Sequence, residues 1–156
     1  MISRTEHLQR LMTGKGLKLS LAESCTGGMI GSEITSLPGS SSFFMGSAVT
    51  YSNESKESIL SVSHDSLVRH GAVSEQVAKE MALGSLKVYG ADVAGSVTGI
   101  AGPDGGTPEK PVGTVWMAVT DGKRTVTYEN HFEGSRSDIR ESTKDVLIEH
   151  IIEFIG

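Results

Sequence analysis

The sequence has only one cysteine and lacks any long apolar run. Cys25 cannot form a disulfide within the chain, which favours a reducing, cytoplasmic compartment. The N-terminal residues have neither the charged region nor the apolar region of a secretory signal. No apolar run approaches the roughly 18 residues of a membrane-spanning helix. We therefore expect a cytoplasmic protein with no membrane partner.

An excess of positive charge is also missing. The formal net charge is −5 and the pI is near 5.5, so the overall field repels polyanions and gives no support to nucleic-acid binding. The carboxylates form no aspartate-rich loop, and no metal-ligand spacing occurs among the five histidines, His7, His64, His70, His131 and His150. We predict no metal requirement and no cofactor. His150 lies on the apolar stripe of the last predicted helix, where we expect a packing or interface residue.

The residues that are present indicate one globular domain over positions 1–156. This length is enough to bury a substantial core, and the 37% hydrophobic and 21% charged residues are ordinary proportions. Glycine is the exception, at 19 residues, and it is concentrated at Gly27-Gly28 and between Gly99 and Gly113. Glycine permits sharp turns and close approach of the backbone to a ligand. These two segments are therefore candidates for functional loops.

Helix and strand patterns alternate along most of the chain. Apolar spacing, caps and stop signals predict helices at 3–15, from Met29 to a stop at Pro38, around Lys56 after a cap at Ser52 or Asn53, from Ser74 to about Tyr89, and at about 137–154. Strands are predicted at 17–22, 43–51, 93–98, 113–120 and 125–132. The last two read as a hairpin across Asp121-Gly122, a dipeptide favoured in two-residue turns. This order predicts an α/β protein, a three-layer α/β/α sandwich with a mixed sheet.

Three loops rich in small polar residues each follow a predicted strand. They are Ala22–Gly28, Val49–Lys56 and Ser96–Gly106. Ligands of open α/β sheets usually bind at the carboxyl ends of parallel strands, so we expect Ser24 and the loop after Thr98 to emerge at one edge. The stretch 99–111 is too rich in glycine and proline for regular structure, and we interpret it as an ordered functional loop.

Ser24 is a candidate nucleophile at a strand-to-helix turn. A helix beginning near Gly28 would direct free backbone N–H groups and its positive dipole end toward Ser24, which suits an oxyanion or a phosphate. The alternative is that Ser24 and Thr26 only cap the helix. The spacing matches neither the glycine–serine–glycine elbow of lipases nor the Walker loop, which argues against those two classes.

Cys25, Lys56 and Tyr51 are further candidates for chemistry, each with an ordinary alternative. Cys25 at a helix N-terminus is a rival nucleophile or a buried structural thiol. Lys56 can act as a base for an alcohol only if burial or positive charge lowers its pKa; otherwise it is a solvated surface charge. Tyr51 packs on a flat ring, orients a proton, or is a core tyrosine.

Loop amides and two arginines are candidate ligand contacts. The glycines of Gly99–Gly106 let backbone N–H groups approach a ligand without side-chain obstruction. Arg136 and Arg140 open the last predicted helix, and a guanidinium fork suits a phosphate monoester. Because a cation at a helix start opposes the dipole, a bound anion would offset that cost. Ordinary surface placement of both arginines is the alternative.

Five motifs, in this order, resemble the CinA C-terminal domain family, whose stand-alone members are nicotinamide-nucleotide amidohydrolases. The motifs are AESCTGG at 22–28, VTYSNESK at 49–56, HGAVSE at 70–75, SVTGIAGPDGG at 96–106 and KPVGTVW at 110–116. The resemblance covers nearly the whole chain. It implies an α/β/α fold and metal-free hydrolysis of nicotinamide mononucleotide to nicotinate mononucleotide and ammonia.

The resemblance also implies roles for individual residues. Ser24 would be the nucleophile, Lys56 its base and Tyr51 a residue that shapes the catalytic pocket. Thr98, Gly99 and neighbouring loop amides, Gly102 among them, would hold the nucleotide together with Arg140 and Arg136. Our own hypothesis adds Thr26, Gly27 and Gly28, whose N–H groups would stabilise the oxyanion.

A competing class is a non-catalytic nucleotide-sensing module that binds a phosphorylated ligand with the same loops. The sequence favours the enzyme because binding alone does not require a lysine near the serine.

The predicted hairpin edge and the apolar last helix favour a homodimer or higher homo-oligomer.

Overall fold

A five-stranded mixed sheet is the middle layer of the structure, a computed structural model that describes residues 1–156. Its strands are β1 (Leu19–Glu23), β2 (Phe44–Val49), β3 (Val93–Gly99), β4 (Thr114–Thr120) and β5 (Thr125–His131). Their order across the sheet is β2-β1-β3-β4-β5. The first three strands in this order are parallel, and β4 and β5 form an antiparallel hairpin beside them. The predicted mixed sheet is therefore confirmed.

Helices cover both faces of this sheet. They are α1 (Arg4–Lys15), α2 (Met29–Thr35), α3 (Asn53–Leu60), α4 (His64–His70), α5 (Glu75–Tyr89) and α6 (Arg136–Ile155). The helices α1, α2 and α6 pack with one face in an apolar cluster of 18 buried residues, and α3, α4 and α5 pack against the other face. This arrangement is the three-layer α/β/α sandwich expected from the order of elements. None of the helices is long and apolar enough to cross a membrane.

Capping residues begin and end the helices as the sequence predicts. Ser3 accepts a hydrogen bond from the Glu6 N–H at the start of α1, and Gly16 ends that helix in the left-handed conformation. Ser74 caps α5 through the Val77 N–H. These local interactions satisfy backbone groups that a helix leaves without intrahelical partners.

Two local features differ from the sequence-based expectations. The helix α4 is not predicted, because Leu67 is its only buried residue and a seven-residue segment gives little periodicity. The hairpin loop has four residues rather than two, since Thr120 pairs with Thr125. The Asp121 carboxylate accepts the N–H groups of Lys123 and Arg124, which stabilises the longer turn.

The helices α3 and α5 cross with almost no space between their backbones. The closest point is Gly84 of α5, where an added Cβ would overlap the carbonyl oxygen of Leu60 at the end of α3. Only glycine allows this approach. The contact matters for the site because α3 carries Lys56.

The parallel arrangement brings three loops to one edge. Glu23 is paired with Val49 on one side and with Val97 on the other, so β1 and β2 end at the same level and β3 continues two residues further, to Gly99. The segments that follow them begin with Ser24, Thr50 and Ile100. The predicted meeting of the first and third loops is confirmed, and the Lys56 loop joins them.

Candidate active site

Ser24 and Lys56 are in direct contact at this edge. Ser24 is the first residue after β1, and Lys56 lies in the first turn of α3, which Ser52 caps through the Ser55 N–H. The Lys56 Nζ is 2.9 Å from the Ser24 Oγ. Both side chains are buried, Lys56 completely. A buried lysine beside a serine hydroxyl is the arrangement that an activated alcohol nucleophile requires.

The surroundings of Lys56 make its neutral form more accessible than that of an exposed lysine. Burial lowers the pKa of the amine to about 8, and none of its three hydrogen-bond partners is a carboxylate. Two partners are the carbonyl oxygens of Thr50 at 2.8 Å and Tyr51 at 3.2 Å. The Lys56 Nζ donates to both carbonyls and to the Ser24 Oγ. Carbonyls only accept, so after loss of one proton the two remaining N–H groups would stay with them and the lone pair would face the Ser24 hydroxyl.

The N-terminal donors of α2 are occupied by a carboxylate of the protein itself. The buried Glu23 side chain accepts the backbone N–H groups of Ile30 and Gly31, each at 3.0 Å. It also accepts the hydroxyls of Thr26 and Ser47, each at 2.6 Å. The expectation that the start of this helix offers free N–H groups to a ligand is therefore wrong for these two residues. An internal anion satisfies the helix dipole instead.

The turn between Ser24 and α2 needs both of its glycines. Gly27 and Gly28 have φ values of +59° and +104°, in the left-handed region that favours glycine. The Gly27 N–H is bonded to the Ser24 carbonyl at 3.1 Å. The Thr26 hydroxyl faces Glu23 and is fully buried. The structure thus places Thr26, Gly27 and Gly28 in the turn that presents Ser24.

The two predicted arginines differ in position. Arg136 lines the pocket beside Ser24 and donates to the Gly102 carbonyl at 2.8 Å. Arg140 lies behind the turn, where its guanidinium donates to the carbonyl oxygens of Cys25 at 3.1 Å and Thr26 at 2.9 Å. Arg136 therefore faces the pocket, whereas Arg140 holds the turn after Ser24 against α6.

A cavity of about 240 Å³ opens over the serine–lysine pair. Its lining includes six residues predicted from sequence, Ser24, Tyr51, Lys56, Thr98, Gly99 and Arg136. Thr26, Gly27, Gly28, Gly102 and Arg140 do not line it. Besides Cys25, four residues that the sequence does not predict as site residues line the cavity: Asn53, Ala72, Val73 and Ala101. Ala72 and Val73 belong to the motif HGAVSE, which is the one sequence feature that indicates this part of the lining.

Tyr51 and Thr98 mark two sides of this cavity. Tyr51 is 64% exposed, so it is a rim residue and not a core tyrosine. Its backbone carbonyl contacts Lys56, and its phenol makes no hydrogen bond within the protein. Thr98 is buried, and its hydroxyl donates to the Ala72 carbonyl at 2.9 Å, which fixes the opposite wall. Tyr51 thus offers a free aromatic face at the entrance.

Cys25 is poorly suited to be the nucleophile, although it also lines the cavity. Burial raises the pKa of its thiol to about 11, despite the opposing effect of its own backbone N–H group and of Arg140. The reactive species of a cysteine is the thiolate, which is scarce at neutral pH for such a pKa. The alternative of a buried structural thiol therefore has the better support.

No group of three or more His, Cys, Asp and Glu side chains is arranged to hold a metal ion. His150 packs against the sheet, with its ring stacked on Tyr128 at a centroid distance of 3.5 Å. The packing role expected for His150 is confirmed.

Fold and site together define an α/β/α protein with a buried serine–lysine pair at the carboxyl edge of a mixed sheet. The chain belongs to the CinA family: the model of the CinA C-terminal domain matches residues 2–155. The family resemblance noted in the sequence is thereby confirmed.

Named relatives and solved structures agree with this assignment. A CinA-like protein of Citrifermentans bemidjiense is 51% identical over 138 residues, which are 88% of this chain and 33% of the relative. A CinA-like protein of Mycobacterium tuberculosis is 49% identical over 92% of the chain and 33% of its own length. The chain thus spans about a third of the curated relatives it matches.

Two crystal structures extend the comparison to the fold. A competence/damage inducible protein from Agrobacterium tumefaciens is 38% identical with a TM-score of 0.92, covering 100% of this chain and 98% of that one. A CinA superfamily protein from Escherichia coli is 35% identical with a TM-score of 0.94, covering 97% of this chain and 88% of that one.

Proposed function

We propose that the protein is an amidohydrolase that converts nicotinamide mononucleotide to nicotinate mononucleotide and ammonia. The observation that carries the proposal is the 2.9 Å contact between Ser24 Oγ and the Nζ of a buried lysine whose pKa is lowered to about 8. We infer the identity of the substrate from membership of the CinA family and from the five sequence motifs. A pure binding module has no need of a buried lysine in contact with a serine hydroxyl.

The proposed reaction passes through an acyl-enzyme. Neutral Lys56 takes the hydroxyl proton as the Ser24 oxygen attacks the carboxamide carbon. The resulting tetrahedral intermediate collapses when the lysine ammonium returns that proton to the amide nitrogen, which leaves as ammonia. Lys56 then takes a proton from water, which attacks the ester and releases the carboxylate. The proton finally returns to Ser24, so the enzyme is regenerated.

Charge on the tetrahedral intermediate requires nearby N–H donors. The Gly27 N–H is occupied by the Ser24 carbonyl, whereas the backbone N–H of Cys25 makes no hydrogen bond to another residue. Cys25 lies next to the nucleophile and lines the cavity. We therefore assign its backbone N–H as the first oxyanion donor in the proposal and retain Thr26 and Gly28 amides as further candidates.

The remaining lining residues hold the nucleotide in this proposal. Arg136 faces the cavity and is the residue suited to the phosphate, and the amides near Thr98 and Gly99 are further contacts in the proposal. Gly102 does not line the cavity, and its carbonyl accepts the Arg136 guanidinium. The exposed Tyr51 ring stacks on the flat pyridine ring. Arg140, whose donors are engaged by two carbonyls, supports the turn rather than the substrate.

Ammonia release from nicotinamide mononucleotide by the purified protein tests the proposal directly. We expect turnover that a chelator leaves unchanged, with nicotinate mononucleotide as the second product. The competing nucleotide sensor predicts saturable binding of the same compound, measured by calorimetry, without ammonia. Binding without turnover would therefore replace the enzyme by the sensor.

The pH dependence of the reaction follows from the lowered pKa of Lys56. Its ammonium predominates below about pH 8, where kcat/KM should fall about tenfold for each pH unit because only the neutral amine accepts a proton. Above that pH the profile should level off. Initial rates between pH 6 and 10 measure this limb. A limb near the ordinary lysine pKa of 10.5 contradicts the role of burial.

Removal of the Arg136 guanidinium should affect the phosphate-bearing substrate selectively. We expect Arg136→Ala to raise KM for nicotinamide mononucleotide about tenfold or more, since a charged hydrogen bond contributes about 1.5–3 kcal/mol. Nicotinamide riboside, which lacks the phosphate, should show little change. The matched control is Arg10→Ala on the exposed face of α1. An equal rise in KM for both substrates would mean that Arg136 supports the loop at Gly102 and does not bind the phosphate.

The cytoplasmic location and the homo-oligomeric state expected from the sequence belong to the same proposal. A free buried cysteine supports the first, and the open edges of the sheet at β2 and β5 support the second. Chromatographic mass measurement tests the oligomeric state.

A further inference from the structure

We propose that Glu23 is a positioning residue for the nucleophile, and that its contact with Thr26 holds the Ser24 hydroxyl in register with Lys56. This inference rests on the proposed role of Ser24. Glu23 touches neither the cavity nor the reacting atoms, so its effect passes through the turn that it supports.

The carboxylate of Glu23 is completely buried and fully hydrogen-bonded. Its Oε1 accepts the Thr26 hydroxyl and the Ile30 N–H, and its Oε2 accepts the Gly31 N–H and the Ser47 hydroxyl. All four partners donate. Only a group with two accepting oxygens satisfies them, because an amide would turn its own N–H groups toward donors. The contacts therefore suit a carboxyl side chain better than an amide.

Glu23 also connects the two halves of the serine–lysine pair. It directly precedes Ser24, and its backbone carbonyl accepts the Thr50 N–H at 2.8 Å. The Thr50 carbonyl in turn accepts the Lys56 amine at 2.8 Å. One residue thus fixes the segment that carries the nucleophile and the segment that orients the base. A shift of about 1 Å between such groups is enough to cost about a hundredfold in rate.

The Thr26 hydroxyl is the side-chain link between this carboxylate and the turn. The turn is held from outside by Arg140 through two backbone carbonyls, and from inside by Thr26 through Glu23. Ser47 makes a contact of equal length to the other carboxylate oxygen, but it lies on β2, away from the turn. Thr26 and Ser47 are therefore a matched pair of hydroxyl donors with different expected consequences.

A purely structural role for Glu23 predicts that loss of either hydroxyl has the same effect. Capping of α2 through Ile30 and Gly31 would be weakened alike in both cases. The positioning role predicts different effects because, of the two hydroxyls, only that of Thr26 lies in the turn that follows Ser24. Glu23→Gln itself is unsuitable as the main probe, since an amide facing four donors destabilises the whole domain.

The test compares Thr26→Val, Thr26→Ser and Ser47→Ala by the rate at which a fluorophosphonate modifies Ser24. In this reaction the serine oxygen bonds to phosphorus, fluoride leaves, and Lys56 takes the hydroxyl proton. Intact-protein mass spectrometry follows the adduct, and thermal unfolding reports stability. The probe contains no nucleotide, so loss of substrate contacts does not influence its rate.

We expect Thr26→Val to lower the labelling rate about tenfold or more, and Ser47→Ala to remain within about twofold of wild type. Both variants should lose similar stability, and Thr26→Ser should restore the rate because it keeps the hydroxyl. Equal rates in Thr26→Val and Ser47→Ala overturn the positioning role.

The two proposals fail in distinguishable ways. Absence of labelling in the wild type, or equal labelling in Ser24→Ala, overturns the nucleophile and with it the role of Glu23. The protein could instead show the expected labelling rates and yet release no ammonia from nicotinamide mononucleotide. That result would contradict the assigned substrate and support the positioning role of Glu23.

Discussion

Replacement of Lys56 by methionine is expected to lower kcat for ammonia release by about a thousandfold or more while the protein stays folded. Methionine is similar in length and removes the only base in contact with the Ser24 hydroxyl. The substituted position is completely buried, where an apolar side chain is better accommodated than an amine. The thermal unfolding midpoint should therefore be unchanged or higher.

The double variant Ser24→Ala with Lys56→Met shows whether the two residues act as a unit. If they do, it should be no slower than either single variant, because each single change already removes the same step. Cys25→Ala is the matched control at the neighbouring position and should retain most of the activity. Multiplicative losses in the double variant, or a severe loss in Cys25→Ala, would contradict the serine–lysine mechanism.

The largest expected effect on stability comes from one methyl group at Gly84. We expect Gly84→Ala to destabilise the protein by about 3 kcal/mol, because the new Cβ overlaps the backbone carbonyl of Leu60, which is not the flexible end of a side chain. The helices α3 and α5 must move apart, which also displaces Lys56. Urea denaturation measures the free energy of unfolding. The rate at which a fluorophosphonate labels Ser24 should fall together with that free energy.

Gly14→Ala is the matched control for that variant. Gly14 also lies within a helix, α1, but nothing comes within 4 Å of a Cβ built there. Alanine is favoured over glycine in a helix by up to about 1 kcal/mol, so this variant should be stabilised. Similar unfolding free energies for the two variants would show that the close approach of the helices has no energetic weight.

Much of the fold is predictable because its signals are local. The caps at Ser3 and Ser74 and the stops at Gly16 and Gly90 lie within one helical turn of what they control. The meeting of three loops at one edge follows from the alternation of strands and helices. The exception, α4, buries one side chain and leaves almost no pattern to read.

The site is less predictable because its decisive contacts join distant parts of the chain. Local chemistry leaves a helix cap as an alternative for Ser24, and the family resemblance pairs this serine with Lys56, 32 residues away. Nothing local points to Glu23, because its partner Ser47 is 24 residues away and its capping bonds reach forward by seven and eight positions. The sequence suggests Arg140 as a phosphate ligand, since nothing local indicates the carbonyls that it contacts 114 and 115 positions earlier.

The contact of Arg140 with the turn after Ser24 links the site to the docking of the last helix. Arg140 belongs to the final helix, yet it ties down the turn of a serine near the beginning of the chain. A chain whose α6 has not docked carries the serine and the lysine without the support that holds the turn from outside. In the proposed mechanism, full reactivity of Ser24 would therefore belong to the folded domain and not to nascent or partly unfolded molecules.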